Sequence, residues 1–348
     1  MTNYLGVAEL QRMLAQIGAE TMLAQIAEFI REDFRRWNSF EKCARTANHS
    51  PQGVIELMPV SDAEFFAFKY VNGHPRNPLR QLPTVMAFGV LAEVATGYPL
   101  LLSELTITTA LRTAATSVVA AERLARPGSR SMALIGNGAQ SEFQAIAFMQ
   151  ALGIREIRAY DVDRAATERL MANLAPYIDA GRLQVRPMDS VRDAVAGADI
   201  VTTITADKSR ARILELDMVE PGMHLNAVGG DCPGKTELDP RILERSTVVV
   251  EYAPQTRIEG ELQQMPADFP VVELWQLLEG GGRRSASEIT VFDSVGFALE
   301  DLSALRYLHE TATALNLGQS LELVPRLHDP KDLYGCALGR TAAFALAD

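Results

Sequence analysis

Cysteine is scarce in this chain. Its 348 residues hold three, Cys43, Cys232 and Cys336, an odd number set far apart. That argues against a disulfide framework and leads us to expect a reducing, cytoplasmic setting. Histidine is equally thin, at five scattered residues, and neither C-x-x-C nor H-E-x-x-H occurs, so no metal site is expected. No run of about eighteen uncharged apolar residues is present, which argues against a membrane span. The opening Met-Thr-Asn-Tyr-Leu lacks the basic and then apolar pattern of a secretory signal. Positive charge is also in deficit: 33 Lys and Arg against 44 Asp and Glu give a net charge of −11. Nucleic acid is therefore a poor partner, and small or cationic ligands are better ones.

What is present is apolar mass, 47% of residues, and a length that suits about two domains. The most informative stretch begins with a short apolar run, Met132 to Ile135. Gly136-Asn-Gly138-Ala-Gln-Ser141 follows at once, then Phe143, Ile146, Ala147 and Met149 at helical spacing, then a second strand from Ile157 to Tyr160 that ends on Asp161. This is the dinucleotide-binding βαβ pattern, with Ser141 where a third glycine usually sits. Gly136 permits the tight turn, Gly138 lets a pyrophosphate approach the backbone, and the helix N-terminus offers free N–H groups to it. Asp161 is placed to accept from a ribose 2′-OH and to repel a 2′-phosphate, which favours NAD over NADP. A plain tight turn in an α/β domain is the alternative. The register of strand, loop, helix, strand and acid speaks against it.

The segment before this motif changes character twice. Leu10, Met13, Leu14 and Ile17, then Leu23, Ile26, Ile30, Phe34 and Trp37, mark helices with core-facing stripes. From residue 44 to 105 the period becomes that of strands. Val54 to Val60 is apolar on both faces apart from Glu56. Phe65 to Val71 puts Lys69 on the same side as Phe65, Ala67 and Val71. A charge on such a strand is either paired or facing a ligand pocket, or else the strand is an edge whose lysine reaches water. Residues 72–75 read as a turn, and Ala95-Thr96-Gly97 joins two further strands. A helix from about Thr106 to Leu124 is expected to be capped by its hydroxyls. Arg112 near its start would either join the helix end in holding an anion or extend away to solvent. The break at 126–129 is the expected domain boundary.

After Asp161 the α/β alternation continues, with strands near 183–186, 199–205, 223–228, 247–252 and 289–292. Ligands of a doubly wound sheet sit beyond the carboxyl ends of its strands. Thr205 and the loop Gly229-Gly-Asp-Cys-Pro-Gly-Lys235 are therefore candidates, although a structural loop would tolerate the same composition. A helix from Ala298 to Leu315 leads out, and the tail is expected to pack back on the first domain. The cations Arg45, Lys69 and Arg112 and the acids Glu56 and Asp231 suit an amino acid carrying a second amine: arginine grips a carboxylate with paired hydrogen bonds, and carboxylates hold ammonium groups. Spacing alone does not bring these five together.

Several longer segments resemble the ornithine cyclodeaminase and mu-crystallin family: Val54-Ile-Glu-Leu-Met-Pro59, Phe68-Lys-Tyr-Val-Asn-Gly-His74, Ser103-Glu-Leu-Thr106, Ala110-Leu-Arg-Thr113, Ile135-Gly-Asn-Gly-Ala-Gln-Ser141, Asn226-Ala-Val-Gly-Gly-Asp-Cys-Pro-Gly-Lys235 and Thr290-Val-Phe-Asp-Ser-Val-Gly296. The resemblance implies an α/β fold, a Rossmann NAD domain (126–315) and an α+β substrate-binding and dimerisation domain (1–125 and 316–348), with homodimers built by joining the latter domains' sheets. It implies an NAD-using ammonia-lyase that turns L-ornithine into L-proline and ammonium and regenerates its cofactor. Arg45, Lys69 and Arg112 would contact the substrate carboxylate. Asp231 would meet the side-chain amine and move its proton, helped by a desolvated setting, while Glu56 and Val295 would lie on the substrate side. Cofactor contacts would fall on Thr84, Arg112, Gly136, Gly138, Ala139, Gln140, Asp161, Thr205, Val228, Gly229, Gly230, Asp231, Lys235 and Ser294. Rival readings are a same-family alanine dehydrogenase or ketimine reductase, a lysine cyclodeaminase, or a binding protein without turnover, which the retained Asp231 and Lys69 disfavour.

Overall fold

In the computed structural model, which describes residues 1–206 and 210–340, the chain builds two eight-stranded sheets and one small two-stranded one. The first sheet runs, edge to edge, Gln319–Leu321, Thr2–Leu5, Pro99–Glu104, Val85–Glu93, Phe65–Gly73, Gly53–Ser61 and Glu41–Lys42, with Thr46–Ser50 also paired to Gly53–Ser61. It is antiparallel except where Thr2–Leu5 lies parallel to Pro99–Glu104. Phe65–Gly73 is therefore an interior strand, and Lys69, opposite Met58 and Gly89, points inward with Ala67 and Val71. The edge-strand alternative for Lys69 does not hold. Pairing also continues through Asn72 and Gly73, so the expected turn at 72–75 starts later than its composition suggested.

Helices Ala19–Arg35, Thr106–Leu124 and Ala298–Leu315 pack against one another, and the last two pack on the inward face of this sheet. The Ala19–Arg35 helix buries Met22, Leu23, Ile26, Ala27, Ile30 and Phe34, the stripe that its sequence period gives. Ala298–Leu315 belongs with this unit. It packs on strands Gly53–Ser61, Phe65–Gly73, Val85–Glu93 and Pro99–Glu104. The tail strand Gln319–Leu321 pairs with Thr2–Leu5, while 341–348 lie outside the described residues. The cap at Thr106 also differs from expectation. The carboxylate of Glu104 accepts from the backbone N–H of Thr106 (3.0 Å), Ile107 (3.1 Å) and Thr108 (3.3 Å), because an anion satisfies a helix N-terminus better than a hydroxyl.

The second sheet is parallel throughout, in the order Gln184–Pro187, Glu156–Tyr160, Ser131–Ile135, Ile200–Thr203, His224–Ala227, Ile289–Asp293, Ser246–Val250 and Val272–Glu273. Its central strands, Ser131–Ile135, Ile200–Thr203 and His224–Ala227, are buried on both faces, as the middle of a parallel sheet requires. The chain direction along the sheet reverses between Ser131–Ile135 and Ile200–Thr203, which opens a crevice at their carboxyl ends. Two strands without a clear sequence signal, Arg210–Leu214 and Thr236–Leu238, pair beside it.

Candidate active site

The turn after Ser131–Ile135 is shaped by its glycines. Gly136 sits at φ +94°, and a Cβ there would lie 2.9 Å from the main chain of Ile204. At Gly138 a Cβ would meet nothing within 4 Å, so the backbone is bare to the cavity beside it. Ser141, where glycine was anticipated, locks the turn: its hydroxyl donates to the Gly138 carbonyl at 2.6 Å. Helix Ser141–Leu152 then starts with its N-terminus beside the cavity. The Gln140 Oε1 is buried with no donor, an acceptor left over at a ligand-facing edge. Asp161 is pinned at its strand end by the backbone N–H of Asn137 (2.6 Å) and Asp163 (2.8 Å) and lines the same cavity. Bare backbone, a helix start, an orphaned acceptor and a fixed acid fit a dinucleotide.

The loop after His224–Ala227 is braced from behind by buried acids. Asp293 accepts the N–H groups of Glu261 (2.9 Å) and Leu262 (2.8 Å). Glu261 accepts those of Glu237 (2.7 Å) and Leu238 (3.0 Å). Glu237 accepts the N–H (2.9 Å) and hydroxyl (2.5 Å) of Thr205. Burial pushes Asp293 up to about 7 and raises Glu261 and Glu237 as well. Gly229 is forced by this packing, since a Cβ would come within 2.1 Å of the Glu237 carboxylate. Gln263 adds a further brace, accepting from Gly234 N–H (2.7 Å) and donating to the Lys235 carbonyl (2.9 Å). Lys235 is buried and reaches Asp231 at 3.1 Å. Burial opposes its charge, but Asp231 and Glu237 outweigh it and raise its pKa. Asp231 faces the cavity with its side chain 48% exposed, so the protein alone does not supply the desolvation expected of it.

Four carboxylates that sequence reasoning missed complete the site. Arg45 bonds Glu56 (3.0 Å) and the carbonyls of Val295 (2.7 Å) and Gly296 (2.5 Å), with Glu259 at 3.3 Å from its Nε. Lys69 is 1% exposed and donates to Asp301 at 2.8 Å. Arg112 donates to Glu300 (2.6 Å) and to the same Asp301 oxygen (3.1 Å). It lies in the second turn of its helix, buried, and therefore neither extends to solvent nor shares an anion with the helix end, which Glu104 occupies. Glu251 accepts from the Ser294 hydroxyl (2.6 Å) and the Gly296 N–H (3.2 Å). Burial lifts Glu300 to about 8 and Glu259 to about 7, although Arg112 and Arg45 respectively pull them down. Burial and the like charge of Arg112 lower Lys69 to about 8, against the pull of Asp301.

The three cations open onto one cavity of about 750 Å³, with these four carboxylates behind them. Arg45, Glu56, Lys69, Arg112, Asp231 and Val295 line it. So do Thr84, Gly136, Gly138, Ala139, Gln140, Asp161, Thr205, Val228, Gly229, Lys235 and Ser294. Of the expected site residues, Gly230 alone is not on this lining; a Cβ on it would lie 3.1 Å from Glu261 behind the loop. Chemically, the cavity offers cations for a carboxylate, acids for ammonium groups, and a dinucleotide cradle alongside.

The chain is similar in sequence and fold to known proteins. The family model described as the ornithine cyclodeaminase/mu-crystallin family matches residues 8–316. An ornithine cyclodeaminase of Brucella suis is 54% identical over 337 residues, covering 96% of this chain and 93% of its own. Among solved structures, a lysine cyclodeaminase described in recognition of L-lysine, L-ornithine and L-2,4-diaminobutyric acid superposes with a TM-score of 0.89 at 30% identity, covering 96% and 98% of the two chains. An archaeal alanine dehydrogenase dimer with bound NAD gives 0.84 at 30% identity, covering 93% and 99%.

Proposed function

The chain belongs to the ornithine cyclodeaminase/mu-crystallin family, and from that premise we propose that it converts L-ornithine into L-proline and ammonium, with NAD⁺ consumed and regenerated in each cycle. The observation that carries this reading is the meeting of Arg45, Lys69 and Arg112 with Glu56 and Asp231 in a single cavity that also contains the glycine turn. Gly136 to Gln140, Asp161 and Thr205 would hold the dinucleotide, and NAD, when bound, supplies a hydride acceptor that can return what it takes. Lys69 and Arg112 hold the substrate carboxylate, with Arg45 beside them, and so fix the substrate's Cα. Asp231 accepts a proton from the side-chain ammonium. That proton must leave first, because a free ammonium with a pKa of about 10.4 is scarcely nucleophilic at neutral pH. Lys235 holds Asp231 in place for this transfer.

The substrate and dimerisation unit comprises the first sheet with its helices, and the enzyme works as a homodimer in the cytoplasm. The outward face of that sheet supports pairing. Ile55, Leu57, Phe66 and Phe88 are exposed there, and Tyr70 stacks on Phe88 at 5.0 Å, too much apolar surface for a face left in water. No helix among the described residues is long and apolar enough to cross a membrane.

The test is direct. Purified protein is incubated with L-ornithine and catalytic NAD⁺, with L-lysine and L-alanine in parallel. Proline and ammonium formed without net NADH support the reading. NADH accumulation with alanine and none of these products from ornithine would overturn it.

A further inference from the structure

Lys69 and Arg112 are like charges buried side by side, one on an interior strand and one on a helix, and a single atom joins them. Asp301 Oδ1 accepts from Lys69 Nζ at 2.8 Å and from Arg112 Nε at 3.1 Å. Both cations line the cavity, whereas Asp301 stands behind them at the start of helix Ala298–Leu315. We propose that Asp301 is the positioning residue of the carboxylate clamp, fixing Lys69 and Arg112 relative to each other through one shared oxygen so that both present to the substrate. This rests on the reading that the clamp takes the ornithine carboxylate.

Three observations separate Asp301 from an ordinary structural acid. Its other oxygen, Oδ2, is buried and accepts no hydrogen bond, so its bonding is spent on the two cations. Its neighbour Glu300 is engaged differently, accepting from Phe297 N–H (3.2 Å) to cap the helix and from Arg112 Nη1 (2.6 Å). Arg112 therefore keeps a carboxylate if Asp301 is lost, and Lys69 keeps none at bonding distance. The loss falls on Lys69. The charged groups around Lys69 are Arg112, Arg45, Asp301 and Glu300, and its strand neighbours Met58 and Gly89 carry none. Burial, Arg112 and Arg45 lower its pKa to about 8, and Asp301 is the largest influence the other way.

The consequence has a shape in pH. A facing charge within a few ångströms shifts a pKa by about one unit or more. In Asp301→Asn, Lys69 would then titrate about one unit lower, near pH 7. At pH 6 it stays protonated in both proteins. At pH 8 its protonated fraction falls from about a half to about a tenth, so kcat/KM for L-ornithine falls about fivefold. The ratio of variant to native protein cancels the ionisation of the substrate itself. The expected result is a ratio near one at pH 6 that falls to about one fifth at pH 8, with the change in KM and with NAD⁺ affinity unaltered. A purely structural role would lower the ratio equally at every pH. That outcome, or a ratio of one throughout, overturns the proposal. Asp301→Ser serves as a second uncharged variant if the first does not fold. A readout independent of turnover is the rate of Lys69 acetylation by acetic anhydride against pH, read by peptide mass spectrometry. Its midpoint should fall in the variant, and an unchanged midpoint would refute the assignment even if ornithine proved not to be the substrate.

Discussion

Arg45→Met removes one charge and leaves two buried acids facing each other. Arg45 bonds Glu56 at 3.0 Å and lies 3.3 Å from Glu259, and all three side chains are nearly inaccessible. Methionine keeps the apolar stem, so the loss is electrostatic. Taking one partner from a buried ion pair costs about 3–5 kcal/mol, mostly through the charge left behind. The pH dependence then has a definite sign. Burial raises Glu259 to about 7, Arg45 restrains it, and Glu56 and Asp231 push it further up. An acid whose folded pKa exceeds its unfolded value makes the folded state bind more protons. Its contribution to stability is thus present at low pH and lost as pH rises from about 4.5 through the folded value. Without Arg45 that value rises by at least about one unit, to about 8, which adds about 1 kcal/mol of destabilisation at pH 8. We expect a loss of about 3 kcal/mol at pH 5.5 and about 4 kcal/mol at pH 8. Urea unfolding followed by the fluorescence of Trp37 and Trp275, which stack 6.4 Å apart, measures both. Equal losses at the two pH values, or a loss below about 1 kcal/mol, would refute the reasoning.

Gly229→Ala places a Cβ within 2.1 Å of the Glu237 carboxylate and forces Glu237 off Thr205. Overpacking of about 1–3 kcal/mol and at least tenfold weaker NAD⁺ binding are expected, by thermal unfolding and NADH fluorescence titration, respectively. Asp231→Asn should fold and bind NAD⁺ normally yet lose about 10²–10⁴-fold in turnover, the range of a positioned acid–base group, by proline assay. Phe88→Glu introduces charge on the exposed apolar face and should convert dimers to monomers in light scattering, with the monomer's far-UV circular dichroism unchanged.

Local pattern carried much of this molecule. The strand, turn, helix, strand and acid of 131–161 read directly, because each part has its own signature within thirty residues or so. The inward aim of Lys69 followed from the period-two alternation of its strand. Its partner did not, because Asp301 is 232 residues further on. The pair Glu300-Asp301 looks like an ordinary acidic first turn, favourable at any helix start. Only the packing of Ala298–Leu315 across the first sheet shows that both acids point at cations. Glu259 and Glu261 carry no local signal that marks them as buried. They are buried because Arg45 lies against one and two backbone N–H groups donate to the other. Strands Arg210–Leu214 and Thr236–Leu238 escaped notice because they are short, and they pair only with each other.

The site is thus assembled from both units, and neither holds a complete set of its charges. Arg45, Glu56, Lys69 and Arg112 come from the first sheet and its helix, Glu259 and the Asp231 loop from the second, and Glu300 and Asp301 from helix Ala298–Leu315, which follows the second sheet and packs on the first. A lone buried cation on the first sheet would cost several kcal/mol if that helix failed to dock. Docking brings the acids, and it also closes an apolar core that runs without interruption from Leu10 and Ile26 through Leu111 and Val118 to Phe148, Phe292 and Leu302. Hydrophobic burial is the term large enough to meet the desolvation of so many charges. A site this rich in buried ions is therefore stable only as part of the shared core, and the two units should unfold together, with any variant that loosens helix Ala298–Leu315 losing substrate binding and second-sheet stability in the same transition.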